Sequence, residues 1–143
     1  MRLSIPRIKV DAAIESVGLT ADGAMGVPQG PADAAWFNLG AIPGEQGTAV
    51  IDGHSGWANN IPAVLDDLYK LKKGDSIIVT DAQGVATTFI VRDMHTYDPN
   101  ADAATVFTST DGASHLNLIT CAGDWNPTLK THSSRLVVFA DKK

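Results

Sequence analysis

Leu116-Asn117-Leu118-Ile119-Thr120-Cys121 is a strand-like apolar run that ends on the only cysteine of this 143-residue chain. Arg135 opens the last such run, Arg135 to Ala140, 14 positions on (135 − 121). Upstream, Thr48-Ala49-Val50-Ile51-Asp52-Gly53-His54 is a third run, ending on a histidine. Around these three lie further short β-like runs, Ser4 to Val10, Ala13 to Leu19, Met25 to Val27, Ala34 to Leu39, Ser76 to Thr80 and Val85 to Tyr97, separated by Gly, Pro, Asn and Asp. Pro6 suits an edge strand, where a missing N–H does no harm, and Asp22-Gly23 marks a tight turn. Pro62 to Leu71 reads as a helix: Pro62 fits a first turn, and Val64, Leu65, Leu68 and Leu71 recur at helical steps. Ala101 to Phe107 reads as a second, short one. Many short strands with little helix indicate an all-β fold, a barrel or a sandwich.

The length suits a single domain over residues 1–143. With 44% hydrophobic and 19% charged residues a packed core is expected. A net charge of −5 argues against broad nucleic-acid binding, which needs a basic face to displace counterions from phosphates. One cysteine forms no internal disulfide and leaves the compartment open. No stretch approaches the ~20 apolar residues of a membrane span, and the N-terminus lacks the apolar core of a signal peptide.

A thiol, an imidazole and a guanidinium at three strand ends can form a nucleophilic site. A free thiol, with a pKa near ~8.5, is mostly protonated at neutral pH; a neighbouring cation favours the thiolate. His54 as imidazolium can supply that charge and later protonate a leaving amine. Arg135 can hold the oxyanion that develops when a thiolate attacks an amide carbonyl. Thr120 can position the nucleophile. Each residue also has a plain alternative. Cys121 can be a small core hydrophobe, His54 a loop histidine and Arg135 a strand cap, and no local spacing demands a site.

The same residues resemble the sortase family. Leu118-Ile119-Thr120-Cys121 followed by Arg135 to Ala140 is similar to its Thr-Leu-x-Thr-Cys strand and its arginine-led final strand, with Asn117 in place of the first Thr. Gly53-His54 resembles its histidine strand end. Leu65 to Asp75 resembles its Phe-x-x-Leu-x-x-Leu-x-x-Gly-Asp segment, with Leu65 for Phe, and Ile5 to Ile14 its first strand and turn. The resemblance implies an eight-stranded β-barrel with one or two short helices. It implies a cysteine transpeptidase that cleaves a Leu-Pro-x-Thr-Gly-type sorting signal between Thr and Gly through a thioacyl intermediate. The acyl group then passes to an amine of cell-wall peptide or a pilin lysine. On that template Cys121 is the nucleophile, His54 the acid and base, and Arg135 the oxyanion or signal holder, with no cofactor. The family also implies a place on the extracytoplasmic face of the membrane of mostly Gram-positive bacteria, with an anchoring helix expected before residue 1. Ala122-Gly123-Asp124-Trp125-Asn126-Pro127 resembles class F members, in which such a turn leads into a variable loop; Trp125 can either pack over the groove and touch the signal or simply seal the loop.

Other polar residues read more plainly. His95, His115 and His132, with Asp93 or Asp98, lack the tight spacing of a metal site. Asp98, Asp102 and Asp111 form no recognisable calcium loop. His132, between Cys121 and Arg135, is the competing candidate for the base. Asp52 shares the strand face of His54 and can orient the imidazole, although a surface carboxylate is the commoner case. An L,D-transpeptidase-like or other cell-wall cysteine hydrolase fits less well, because Ile119-Thr120-Cys121-Ala122 lacks a local His-Gly-Cys. A non-catalytic barrel that binds carbohydrate through Trp36, Trp57 and Trp125 is the alternative outside enzymes.

Overall fold

The computed structural model describes residues 1–21, 23–98, 104–126 and 131–143, with the backbone alone at 58, 104–105, 121–126 and 131–134. In chain order the strands are β1 (Arg2–Ile5), β2 (Val10–Val17), β3 (Ala34–Phe37), β4 (Gly47–Gly53), β5 (Ser76–Thr80), β6 (Ala86–Tyr97), β7 (Ser114–Asn126) and β8 (Thr131–Lys142). They close into a barrel in the order β1-β2-β3-β4-β7-β8-β6-β5. The β2–β3 and β4–β7 pairs are parallel; the other pairs are antiparallel. Closure leaves no open sheet edge.

Side-chain alternation divides the apolar residues into two layers. Leu3, Ile51, Phe89, Leu116, Leu118 and Val138 are fully buried inside the barrel. The alternate residues Val50, Ile119, Val137 and Phe139 face outward and are covered by Val106, with Met25, Phe37, Tyr97 and Phe107 packed against them. Val106 and Phe107 belong to a four-residue helix, α1 (Ala104–Phe107). Asn117 fastens it: its Nδ2 donates to the Val106 carbonyl at 2.6 Å. The asparagine that departs from the family pattern thus has a structural task.

The helix expected over Pro62–Leu71 does not form; only a 3₁₀ turn at Leu68–Lys70 is present there. The amides of Asp66, Leu68, Lys70 and Leu71 bond three residues back, in successive turns, rather than four, and the amides at the start of the segment go to partners outside a helix. Val64 N–H donates to Pro31 O at 2.7 Å and Leu65 N–H to His54 O at 3.1 Å, while the Asp66 carboxylate accepts from Ala63 N–H at 2.8 Å. The leucine spacing still serves burial, since Leu65, Leu68 and Leu71 close the barrel core. Pro6 does not sit in an edge strand either. It starts a 3₁₀ turn, Pro6–Ile8, and Lys9 at φ 58° turns the chain into β2. Met25 forms only an isolated bridge to Leu19. Asp75 joins two of the quoted motifs: its carboxylate accepts from Lys72 N–H at 2.8 Å and pairs with Arg7 at 3.2 Å.

Gly53 ends β4 under tight constraint. A Cβ there would lie 2.8 Å from Val64 Cγ1 and 2.9 Å from Leu65 Cδ1, and Leu65 is fully buried. Gly53→Ala is therefore expected to destabilise the fold by ~1–3 kcal/mol through overpacking. Denaturant titration checks this; an unchanged midpoint would show that Leu65 moves aside freely.

Candidate active site

β7 and β8 are antiparallel, and their register sets Cys121 opposite Arg135. β4 runs parallel to β7 with Asp52 opposite Ile119. β4 ends at Gly53, so His54 is the first residue beyond it, as many positions past Asp52 as Cys121 is past Ile119 and at that level by count. The side chain of Thr120 locks this level: its buried hydroxyl donates to Gly53 O at 2.9 Å. Backbone pairing thus brings Cys121 and Arg135, both inside long strands, beside the end of β4.

His54 is half-buried, and Nε2 lies 2.8 Å from Pro28 O. A carbonyl only accepts, so Nε2 carries a proton and a neutral ring keeps its acceptor at Nδ1. Trp57 packs edge-on against the imidazole, with ring centroids 4.9 Å apart. Downstream, Gly56 N–H donates to Asp66 Oδ1 at 2.7 Å. With the Leu65 bond to His54 O, this closes the segment that follows the histidine. Asp66 carries no recognisable signal in the sequence, because its partners are backbone amides of a turn that the periodicity reads as helix.

A groove of about 570 Å³ lies alongside, on the outer face of β4, β7 and β8. Met25, Val27, Phe37, Ile119 and Val137 give it apolar walls, and Arg135, Asp52 and Asp98 are its charged residues. Asp52 is not the surface carboxylate that its type suggests: only 9% of it is exposed. Burial pushes its pKa up to about 8, against the lowering effect of Arg135 and of its own backbone N–H. The native state therefore holds a proton that the unfolded chain releases near pH 4. The stability gained from that proton is complete below pH 4 and lost as pH rises towards 8. Wild-type unfolding free energy is expected to fall between pH 5 and 8 more steeply than that of Asp52→Asn. Parallel slopes in urea titrations across that range would refute it.

The remaining histidines with described side chains lie elsewhere. His115 sits between Asp111 and Asp141, with contacts of 2.7–2.9 Å. Burial lowers its pKa, but the bonds to Asp141 and Asp111 outweigh burial and raise it. His95 pairs with Asp93 at 2.9 Å. Among the described residues no group of three His, Cys, Asp or Glu is placed to hold a metal. The Trp36 indole donates to Ala41 O at 3.0 Å and packs on the core, so it offers no stacking platform. After Cys121 the ladder continues through Trp125 opposite His132, with a register shift between Ala122 and Trp125. The turn expected over Ala122–Asn126, and the loop position expected for His132, are strand backbone instead; residues 127–130, where the variable loop would follow, lie outside the described residues, as do residue 102 and the side chains of Trp125 and His132.

The Sortase domain model matches residues 3–143. The chain belongs to the sortase family. Sortases are cysteine transpeptidases, which places the chain among enzymes of that class. Its fold is similar to that of a sortase A lid mutant from Corynebacterium diphtheriae, with 25% identity and a TM-score of 0.76 over 99% of this chain and 68% of that one. A second sortase A structure from the same organism gives 25% and 0.73 over 99% and 59%. Sortase C1 from Streptococcus agalactiae gives 22% and 0.77 over 99% and 66%. This sortase domain thus spans about three fifths to two thirds of those chains. No curated protein matches the sequence. Among the described residues no helix is long and apolar enough to cross a membrane.

Proposed function

We propose that this sortase domain cleaves a Leu-Pro-x-Thr-Gly-type signal between Thr and Gly and transfers the acyl half to an amine. The observation that supports this reading is the register of Cys121 opposite Arg135, beside the end of β4 that His54 follows and next to a groove. The Cys121 thiolate attacks the threonine carbonyl, and a C–S bond forms as the C–N bond breaks. His54 gives the departing glycine amine its proton. An incoming amine, from cell-wall peptide or a pilin lysine, then attacks the thioacyl carbon; His54 takes its proton and the thiolate leaves. Arg135 holds the oxyanion in both halves. Thr120 acts through the backbone by fixing β7 to β4. The enzyme works at the extracytoplasmic face of the membrane, held there by a helix.

The test is incubation with a sorting-signal peptide and a short amine. Mass spectrometry is expected to show a thioacyl adduct on the peptide containing Cys121, which disappears as ligated product accumulates. A ligated product formed without that adduct would exclude the covalent route. Arg135→Ala is expected to lower kcat by ~100- to 1,000-fold with the fold intact; retention of most turnover in Arg135→Ala or Arg135→Lys would remove the oxyanion role.

A further inference from the structure

His115, Asn117 and Ile119 share the outward face of β7, the strand that leads to Cys121. Residues 106–113 lie over that face and are tied to it twice. Asn117 Nδ2 holds the Val106 carbonyl at 2.6 Å. Further on, the Asp111 carboxylate takes His115 Nε2, with Oδ1 at 2.9 Å and Oδ2 at 2.8 Å. On its other side the same ring has Nδ1 2.7 Å from Asp141 Oδ1. Both ring nitrogens thus face carboxylate oxygens, which accept. A neutral imidazole has one N–H, so only the imidazolium donates to both. Asp141 pairs in turn with Arg92 at 3.1 Å. A chain of alternating charge, Arg92–Asp141–His115–Asp111, therefore joins β6, β8 and β7 to the segment after α1.

We propose that His115 is a positioning residue for the sorting signal: as an imidazolium it fastens the segment after α1 to the sheet, and so holds Val106 and Phe107 in place as a wall of the groove.

Both residues line that groove. Val106 is buried among Val50, Ile119 and Val137, and Phe107 meets Phe37 edge-on with ring centroids 5.4 Å apart. α1 is a single turn, too short to be stable alone, so its place depends on what holds it and the chain beyond it. A wall already in place spares the signal the entropy of ordering it. That lowers KM and leaves the reacting groups alone.

The tether depends on pH. The charged groups around the imidazole are Asp111 on the segment, Asp141 on β8, and Arg92, Asp93 and His95 on β6; β4 sets the uncharged Thr48 opposite it. Asp93 pairs with His95 and Arg92 with Asp141, which leaves Asp111 and Asp141 bonded to the ring. Burial lowers the pKa of His115, but its two carboxylate bonds raise it above the ordinary value. The tether is therefore complete below about pH 6.5 and is lost as pH rises through the raised value.

This inference rests on the transpeptidase reading, and one experiment separates the two. Ligation kcat and KM for the signal peptide are measured at saturating amine, from about pH 6 to about pH 8.5, in wild type, Asp111→Asn and His115→Gln. Asp111→Asn keeps an oxygen for the Ala113 N–H that Asp111 Oδ1 accepts at 2.9 Å, so the local turn survives. Near pH 6 each variant is expected to raise KM by about three- to tenfold with kcat unchanged. The double variant raises it no further than His115→Gln, because the same bond is already broken. The ratio of variant KM to wild-type KM shrinks as pH rises, since the wild type then loses its imidazolium. Cys121, His54 and Asp52 titrate in all the proteins alike and cancel from that ratio. A KM near pH 6 equal to that of wild type, a ratio that does not change with pH, or a loss in kcat instead overturns the inference and leaves the transpeptidase reading standing. If His115→Gln does not fold, Asp111→Asn decides, because that side chain is 58% exposed. Absence of Cys121-dependent turnover of the signal peptide in the wild type removes both.

Discussion

Cys121→Ala is expected to reduce ligation of a sorting-signal peptide to background, a loss on the order of 10⁴-fold or more, as when the nucleophile of a covalent enzyme is removed. The argument is one of chemistry rather than packing. The arginine opposite position 121, the histidine that follows β4 and the groove beside them would all persist in the variant. They can bind and polarise a carbonyl, but they offer no atom to take the acyl group. Binding of the signal should therefore survive the substitution while kcat vanishes, and the urea midpoint should change little. Iodoacetamide should label the wild type at this one thiol and leave the variant unmarked. A Cys121→Ala protein that still ligates would place the acyl carrier elsewhere and break the assignment of all three residues.

The sequence carries strands well where alternation is clean and turns are marked. Ser76–Thr80 is an element to the residue, and Val85 to Tyr97 lies within one position of β6. It carries them less well where a tertiary partner decides. Nothing in Pro62 to Leu71 announces that its amides will bond three residues back in successive turns, or that His54 O will take the Leu65 amide, so helical spacing of leucines misleads. Pro6 reads as an edge-strand proline because its 3₁₀ turn depends on a left-handed Lys9, which no residue-type preference signals. β7 and β8 outrun the apolar runs that announce them, since ladder pairing continues through polar residues when a partner strand is present.

The site shows the same division. Cys121, His54 and Arg135 end or open apolar runs, where residue chemistry is conspicuous, although in the fold β7 and β8 run on past Cys121 and Arg135. The parallel β4–β7 register that brings the end of β4, and His54 after it, alongside Thr120 is a property of the closed barrel and is invisible along the chain. Asp52 lies on the readable face but in an unreadable environment. Its burial comes from Met25, Phe37 and the α1 region, which fold over the outer sheet from distant parts of the sequence.

His54→Ala is expected to lower kcat by ~100- to 10,000-fold, the usual range for loss of a positioned acid and base. The second half of the argument concerns which histidine it is. His132 lies on β8, three residues before Arg135 and opposite Trp125, and is the competing candidate. The placement of His54 favours it. The Thr120 hydroxyl pins its strand end to β7, the Leu65 bond to its carbonyl holds the segment beyond, and Pro28 O and Trp57 fix the ring. A ring held at Nε2 presents Nδ1 for proton exchange, or must release Pro28 when the signal enters. The readout has two arms. The ligation rate should fall steeply in His54→Ala and by less than about tenfold in His132→Ala, a loss too small for removal of the acid and base. The alkylation rate of Cys121 at neutral pH should also fall in His54→Ala, because the imidazolium that favours the thiolate is gone. A steep loss in His132→Ala with His54→Ala nearly unaffected would transfer the proton chemistry to β8, leaving His54 as a structural anchor for the turn that follows β4.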